Sequence, residues 1–138
     1  MQTTLTEIIG TADQQAKFRR RTKQPVDQIA ADVLDELGLH DAPYQFRIVL
    51  RGNASDVQEH FAAKYPGKKL NSHSYASRGG KECYISVADV NLRVVAHELA
   101  HMALNHYFTT DKVPNKLHEL IAQAVEERTC KKYSRWFF

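Results

Sequence analysis

The sequence predicts a small α+β domain with helices near the N-terminus, a three-stranded, mostly antiparallel sheet, and an antiparallel pair of helices at the C-terminus. Length is the first observation, because 138 residues fit one domain and leave no room for a second. Composition is the second: 43% hydrophobic and 25% charged residues suit one sizeable core and exclude a wholly disordered chain. Third, the apolar period is helical over residues 26–37, alternates over 44–50 and is helical again from residue 91 onwards.

Residues 1–25 read as a basic N-terminal segment or helix, and 26–138 as the single domain. Lys17, Arg19, Arg20, Arg21 and Lys23 face only Glu7 and Asp13, so this segment carries the whole net charge of +3. No run approaches the roughly 18 apolar residues that a membrane helix needs, and MQTTLTEIIG lacks a secretory signal's basic start and apolar run. The expectation is a cytoplasmic protein with no membrane contact. Cys83 and Cys130 suit reduced thiols, being too few and too far apart for a disulfide framework or a CxxC knuckle.

Pro25 breaks the chain before a helix over 26–37, whose apolar positions are Val26, Ile29, Ala30, Val33, Leu34 and Leu37, with Gly38 as its stop. Residues 44–50 alternate as a strand closed by Gly52-Asn53, and 55–65 form a short helix ended by Pro66-Gly67. Strands at 69–77 and 82–87 flank Arg78-Gly79-Gly80-Lys81, whose glycines suit a tight hairpin. A helix over 91–107 carries Leu92, Val95, Leu99, Met102 and Ala103 at core spacing, with Asp89 or Asn91 to cap it. Pro114 opens a last helix over about 116–132, with Leu117, Leu120, Ile121, Ala124 and Val125 as its apolar face.

Inside the 91–107 helix lies His97-Glu98-Leu99-Ala100-His101, an HExxH pattern. Residues i and i+4 share one helix face, so both imidazoles can converge on one cation while Glu98, about 100° round, stands beside it. Imidazole suits Zn²⁺, and a catalytic zinc keeps three protein ligands and one open position. Two histidines in a helix flanked by Val94, Val95, Ala96, Met102, Ala103 and Leu104 also need something to satisfy them. The alternative is a pair of hydrogen-bonded core histidines.

Candidates for the third ligand are His106, His118, Glu119, Glu126 and Glu127. With about 1.5 Å of rise per residue, His101 lies about 9 Å below the helix end and Glu119 climbs about 7.5 Å back from Pro114, so the two arrive nearly level. Glu126 climbs about 18 Å, nearer the level of His97, and stays in play. Only one of the neighbours His118 and Glu119 can face the metal, and His106 follows His101 too closely on the same helix.

The HExxH pattern followed by Glu119-Leu120-Ile121-Ala122-Gln123 resembles the gluzincin metallopeptidases, in particular the small single-domain ImmA/IrrE-like and minigluzincin types. The resemblance covers residues 97–123. It implies a zincin-like domain with the sheet packed on a metal-binding helix pair, His97, His101 and Glu119 as ligands of one Zn²⁺ per chain, and Glu98 as general base. Gln123 stands where the family has an acidic residue that orients a ligand, and Glu126 is available for that part. Leu104 and Tyr107 occupy positions where a metzincin has Gly and His. A SprT-like peptidase, which acts on DNA-associated proteins, would use His118 as third ligand, but Ala122 and Gln123 favour Glu119.

The expected activity is zinc-dependent hydrolysis of a polypeptide through a metal-activated water, with Glu98 taking the proton. Oxyanion donors are sought among Tyr107, His106, His118, Tyr84 and His73, and the strand over 82–87 is expected to offer its edge to substrate. A zinc-stapled, non-catalytic binding module is the competing class; it leaves Glu98 without a task. A weak nucleic-acid contact through Arg19, Arg20, Arg21, Lys131, Lys132 and Arg135 is a further expectation, with Trp136, Phe137 and Phe138 either stacking on bases or packing on the core.

Overall fold

The computed structural model describes residues 5–39, 45–77, 81–108 and 113–134. Among them the chain is α+β, with five helices and a four-stranded mixed sheet. No helix among the described residues is long and apolar enough to cross a membrane.

Residues 5–22 build part of the core. Strand β1 (Leu5–Ile9) leads through Gly10 into helix α1 (Ala12–Thr22). A Cβ on Gly10 would stand 3.1 Å from the Leu50 Cβ, so a side chain here would press on the neighbouring strand and glycine eases the close passage. Thr11 and Gln14 form a reciprocal capping box that starts α1, and Phe18 and Thr22 bury its inner face. Arg21 Nε donates to the Val90 carbonyl at 2.8 Å, so this cation is a structural tie, whereas Arg19 and Arg20 are exposed.

Helix α2 (Val26–Glu36) buries Ile29, Ala30, Val33 and Leu34, as its spacing predicts. Its end has the Schellman pattern: Leu39 N bonds Leu34 O at 2.8 Å, Gly38 N bonds Asp35 O at 3.0 Å, and Gly38 sits at φ 75. Strand β2 (Gln45–Arg51) alternates as expected, with Phe46, Ile48 and Leu50 buried. Helix α3 (Ala54–Lys64), capped by the Asn53 side chain, precedes strands β3 (Ser74–Ala76) and β4 (Glu82–Ser86).

The sheet order is β1-β2-β4-β3, with β1 parallel to β2, β2 parallel to β4 and only β3 antiparallel to β4. This corrects the expected three-stranded, mostly antiparallel sheet. Helices α1 and α2 separate β1 from β2, and α3 lies between β2 and β4; such crossovers return the chain in the same direction. The strand expected over 69–77 shortens to three residues, and β4 is an interior strand, which leaves β3 at the edge. Residues 78–80 of the expected hairpin turn lie outside the described residues, as do Arg135, Trp136, Phe137 and Phe138.

One face of the sheet carries the main core, where Phe46, Ile48, Cys83 and Ile85 meet Phe18, Ile29, Val33, Leu99, Met102 and Val125. The opposite face holds Val57, Tyr75 and Tyr84 beneath α3, with Phe61 and Tyr65 against them.

Helix α4 (Leu92–Tyr107) is capped by Asn91, whose side chain accepts from Val94 N, and runs beside α5 (Asn115–Ser134). On α5 the inward stripe differs from expectation: Ala122, Val125 and Thr129 are buried, while Leu117 and Leu120 are 47% and 56% exposed. The far end of α5 is clasped to α2. Buried Asp32 accepts from Lys132 Nζ at 2.6 Å, Tyr133 Oη at 2.5 Å and Gln28 Nε2 at 3.2 Å. Replacing Asp32 with Ala leaves the Tyr133 hydroxyl without this acceptor and is expected to lower unfolding stability by about 1–3 kcal/mol, read from the urea midpoint.

Candidate metal centre

Helix α4 buries Val95, Leu99, Met102 and Ala103 in the core and turns His97 and His101, half-buried, towards a cleft of about 660 Å³. The facing wall is α5, which presents His118, Glu119 and Glu126, and the third side is β3. Two histidines separated by one helical turn thus point at the same space, as their spacing requires.

Two imidazole nitrogens and one carboxylate converge there. His97 Nε2 and His101 Nε2 are 3.1 Å apart, Glu119 Oε1 lies 2.8 Å from His101 Nε2, and Glu119 Oε2 lies 3.5 Å from His97 Nε2. A tetrahedral ion with bonds of about 2.0–2.1 Å spaces its ligand atoms about 3.3 Å apart, which matches this triangle. His97, His101 and Glu119 therefore form a group that could hold a metal ion.

Protons decide what can fill the centre. His97 Nδ1 is 2.8 Å from Glu126 Oε1, and Arg93 Nη1 donates at 3.0 Å to Glu126 Oε2, so Glu126 is placed to accept from the His97 Nδ1–H. The Nε2 lone pair of His97 then points inward at Glu119 and His101. A proton satisfies one pair in such a triangle; a divalent cation satisfies all three corners.

Glu126 holds the orienting position, and Gln123 is exposed. His118, the alternative third ligand, sits on the other side of the His101 ring, with His118 Nδ1 2.6 Å from His101 Nδ1. It is a partner of His101 here and does not complete the triangle. Glu127 is exposed and lines a separate groove.

Glu98 is 5% exposed, and Ser74 Oγ donates to its Oε2 at 2.5 Å. Burial pushes the Glu98 carboxyl upward; the Ser74 hydrogen bond and His97 pull the other way. Of the proposed oxyanion donors, His73 and His118 line the cleft, while Tyr107 and His106 do not. Tyr84 lies on the opposite face of the sheet, where its hydroxyl donates to Glu82 at 3.0 Å.

Two residues of the centre escape the sequence reading. Ser74 carries no pattern that marks it. Asn105 does carry one, because it continues the His97, His101 stripe at i+4; its Oδ1 lies 3.1 Å from His118 Nε2.

Neither protein-family models nor curated proteins give a match to this chain.

Part of the pH response of the metal-free protein follows from His101, with His118 acting in the same direction and Glu98 in the opposite one. Burial lowers its pKa from 6.5 to about 4, with Glu119 opposing and His97 and His118 reinforcing the fall. The unfolded chain then binds the extra proton first, so this contribution to stability is full above pH 6.5 and is lost as pH falls towards about 4. Chelator-treated protein is expected to show a falling urea midpoint across that window, and His101→Gln is expected to flatten that part of the curve.

Proposed function

We propose that the chain is a zinc-dependent peptidase of the gluzincin type, with a zincin-like packing of sheet and helix pair. The observation that carries the reading is the conjunction of a three-cornered acceptor triangle with a buried carboxylate, Glu98, on the same helix turn. A nitrogen-nitrogen-oxygen donor set with this spacing suits Zn²⁺ better than the all-oxygen sets favoured by Mg²⁺ or Ca²⁺. Bound there, zinc would act as a Lewis acid towards a carbonyl and lower the pKa of a coordinated water.

The chain's own residues divide the remaining work. His97 and His101 present unprotonated Nε2 atoms, and Glu126 and His118 hold the outer sides of the two rings. Glu98 accepts a proton and returns it to the leaving amine; its raised pKa brings it nearer the value at which a base works best around neutral pH. Ser74 fixes one of its oxygens. His73 lines the cleft, whereas Tyr107 and His106 do not, so His73 is preferred to them as the candidate oxyanion donor.

Substrate would pair with β3 rather than with the interior strand β4. Ser77 N bonds Glu82 O and Ser86 N bonds His73 O, so residues 73, 75 and 77 turn their backbone groups towards β4. In an antiparallel ladder the intervening residues, Ser74 and Ala76, then turn theirs outward, beside the cleft. An extended peptide can add to that edge.

The other readings have less support. A SprT-like site needs His118 in the triangle, and it lies behind His101. A structural zinc calls for a fourth protein ligand, and only three residues form the metal-holding group among those described. Of the cations proposed for nucleic acid, Arg21 and Lys132 are engaged within the fold.

The decisive variant is Glu98→Gln. It is expected to bind zinc with wild-type stoichiometry and to lose about 10²- to 10⁴-fold in hydrolysis of unfolded protein or mixed peptides. His97→Ala and Glu119→Ala are expected to lose stoichiometric zinc, read by metal analysis. Wild-type hydrolysis by Glu98→Gln would remove Glu98 from the reaction.

A further inference from the structure

The two metal-facing histidines are held in different ways. His97 leans on a carboxylate, but His101 leans on a second imidazole, and the contacts continue from there. His118 Nε2 lies 3.1 Å from Asn105 Oδ1, and Asn105 Nδ2 donates at 3.2 Å to the carbonyl of Ser77, the residue that follows β3.

Donor matching allows one order of protons along this line. The Ser77 carbonyl can only accept, so the amide nitrogen of Asn105 faces it, and Oδ1 of Asn105 faces His118. His118 Nε2 must then carry the hydrogen. In the neutral ring Nδ1 is left as acceptor, so His101 Nδ1 must donate and His101 Nε2 keeps a bare lone pair. Ring geometry agrees. The His101 and His118 planes differ by 12°, and their centroids, 4.7 Å apart, are separated by slightly less than the 2.6 Å N···N contact plus two ring radii. The rings therefore meet edge to edge, as a near-linear hydrogen bond requires.

We propose that His118 and Asn105 form a positioning relay that fixes His101 in its metal-accepting tautomer and fastens the metal centre to the edge strand β3. This rests on the reading of His97, His101 and Glu119 as ligands. An isolated neutral histidine prefers its hydrogen on Nε2, the arrangement that blocks coordination at that atom. The relay reverses the preference before metal arrives. It also gives β3 a second link to the centre, beside the Ser74 bond to Glu98. Neither His118 nor Asn105 has to touch metal or substrate for this role.

The test is zinc affinity of the full chain, measured by competition with a chromophoric chelator, so it needs no substrate. His118→Phe and Asn105→Leu, which keep bulk but break the hydrogen-bond order, are expected to weaken zinc binding about 10- to 100-fold. His118→Gln, whose amide offers one acceptor and one donor, is expected to return to within a few-fold of wild type. Amide exchange reads the tie to β3: zinc is expected to slow exchange at Tyr75 and Ser77 in wild type and to lose that effect in Asn105→Leu. Circular dichroism of the metal-free variants checks the fold, and if His118→Phe is unfolded, His118→Gln and Asn105→Leu decide. Wild-type affinity in both His118→Phe and Asn105→Leu overturns the relay. So does complete loss of zinc in His118→Phe with retention in Glu119→Ala, which makes His118 a ligand. A wild-type chain that takes up no zinc is a separate result: it removes the metal centre itself, and the relay with it.

Discussion

Three hydrogen-bond acceptors aimed at one point repel each other unless something positive sits between them. The rest of the site is arranged to hold His97, His101 and Glu119 in that costly geometry. Asn91 sets where α4 begins, and the buried Val95, Leu99, Met102 face fixes its rotation, so the two imidazoles cannot turn away without exposing core. Glu126, anchored by Arg93, keeps the His97 hydrogen on the outer nitrogen. Folding energy from the core thus stabilises a cluster that is unfavourable by itself.

The edge strand shows how a short element can take two parts. Three residues of β3 pair with β4 on one side and border the cleft on the other. The Ser74 side chain crosses to Glu98 while its backbone stays at the open edge. Beneath, the Tyr75 ring stacks on Tyr84 at 4.9 Å, and His60 Nδ1 lies 2.6 Å from the Tyr75 hydroxyl, so the strand is braced from the face away from the cleft. This bracing matters because three residues alone make a weak strand.

Helix α4 was legible in detail, since its cap, its apolar period and its histidine spacing are all local signals. Helix rise brings Glu119 level with His101 but leaves Glu126 and His118 open, and the choice of Glu119 rests on the resemblance; Glu126 stands out by sharing a face with Glu119. Strand direction was not legible. It depends on the crossovers through α1, α2 and α3, and β1 (LTEII) lacks clean alternation to announce it, although Gly10 follows. The orientation of α5 was misjudged because its inward stripe mixes His118, Ala122, Val125 and Thr129 with few large apolar side chains, while Leu117 and Leu120 drew attention to the wrong face. The basic segment was visible as charge, but Phe18 alone does not reveal that α1 belongs to the core.

The uneven attachment of α5 sets where the molecule gives way first. Its last turns are locked to α2 through Asp32, but its opening turns bury little, and Glu119 itself is 64% exposed on its side chain. Local opening free energies are lowest where apolar burial is thin. The opening turns of α5, which carry Glu119, are therefore expected to give way before its C-terminal end, which stays attached to α2 through Asp32, and before the sheet and α4 come apart.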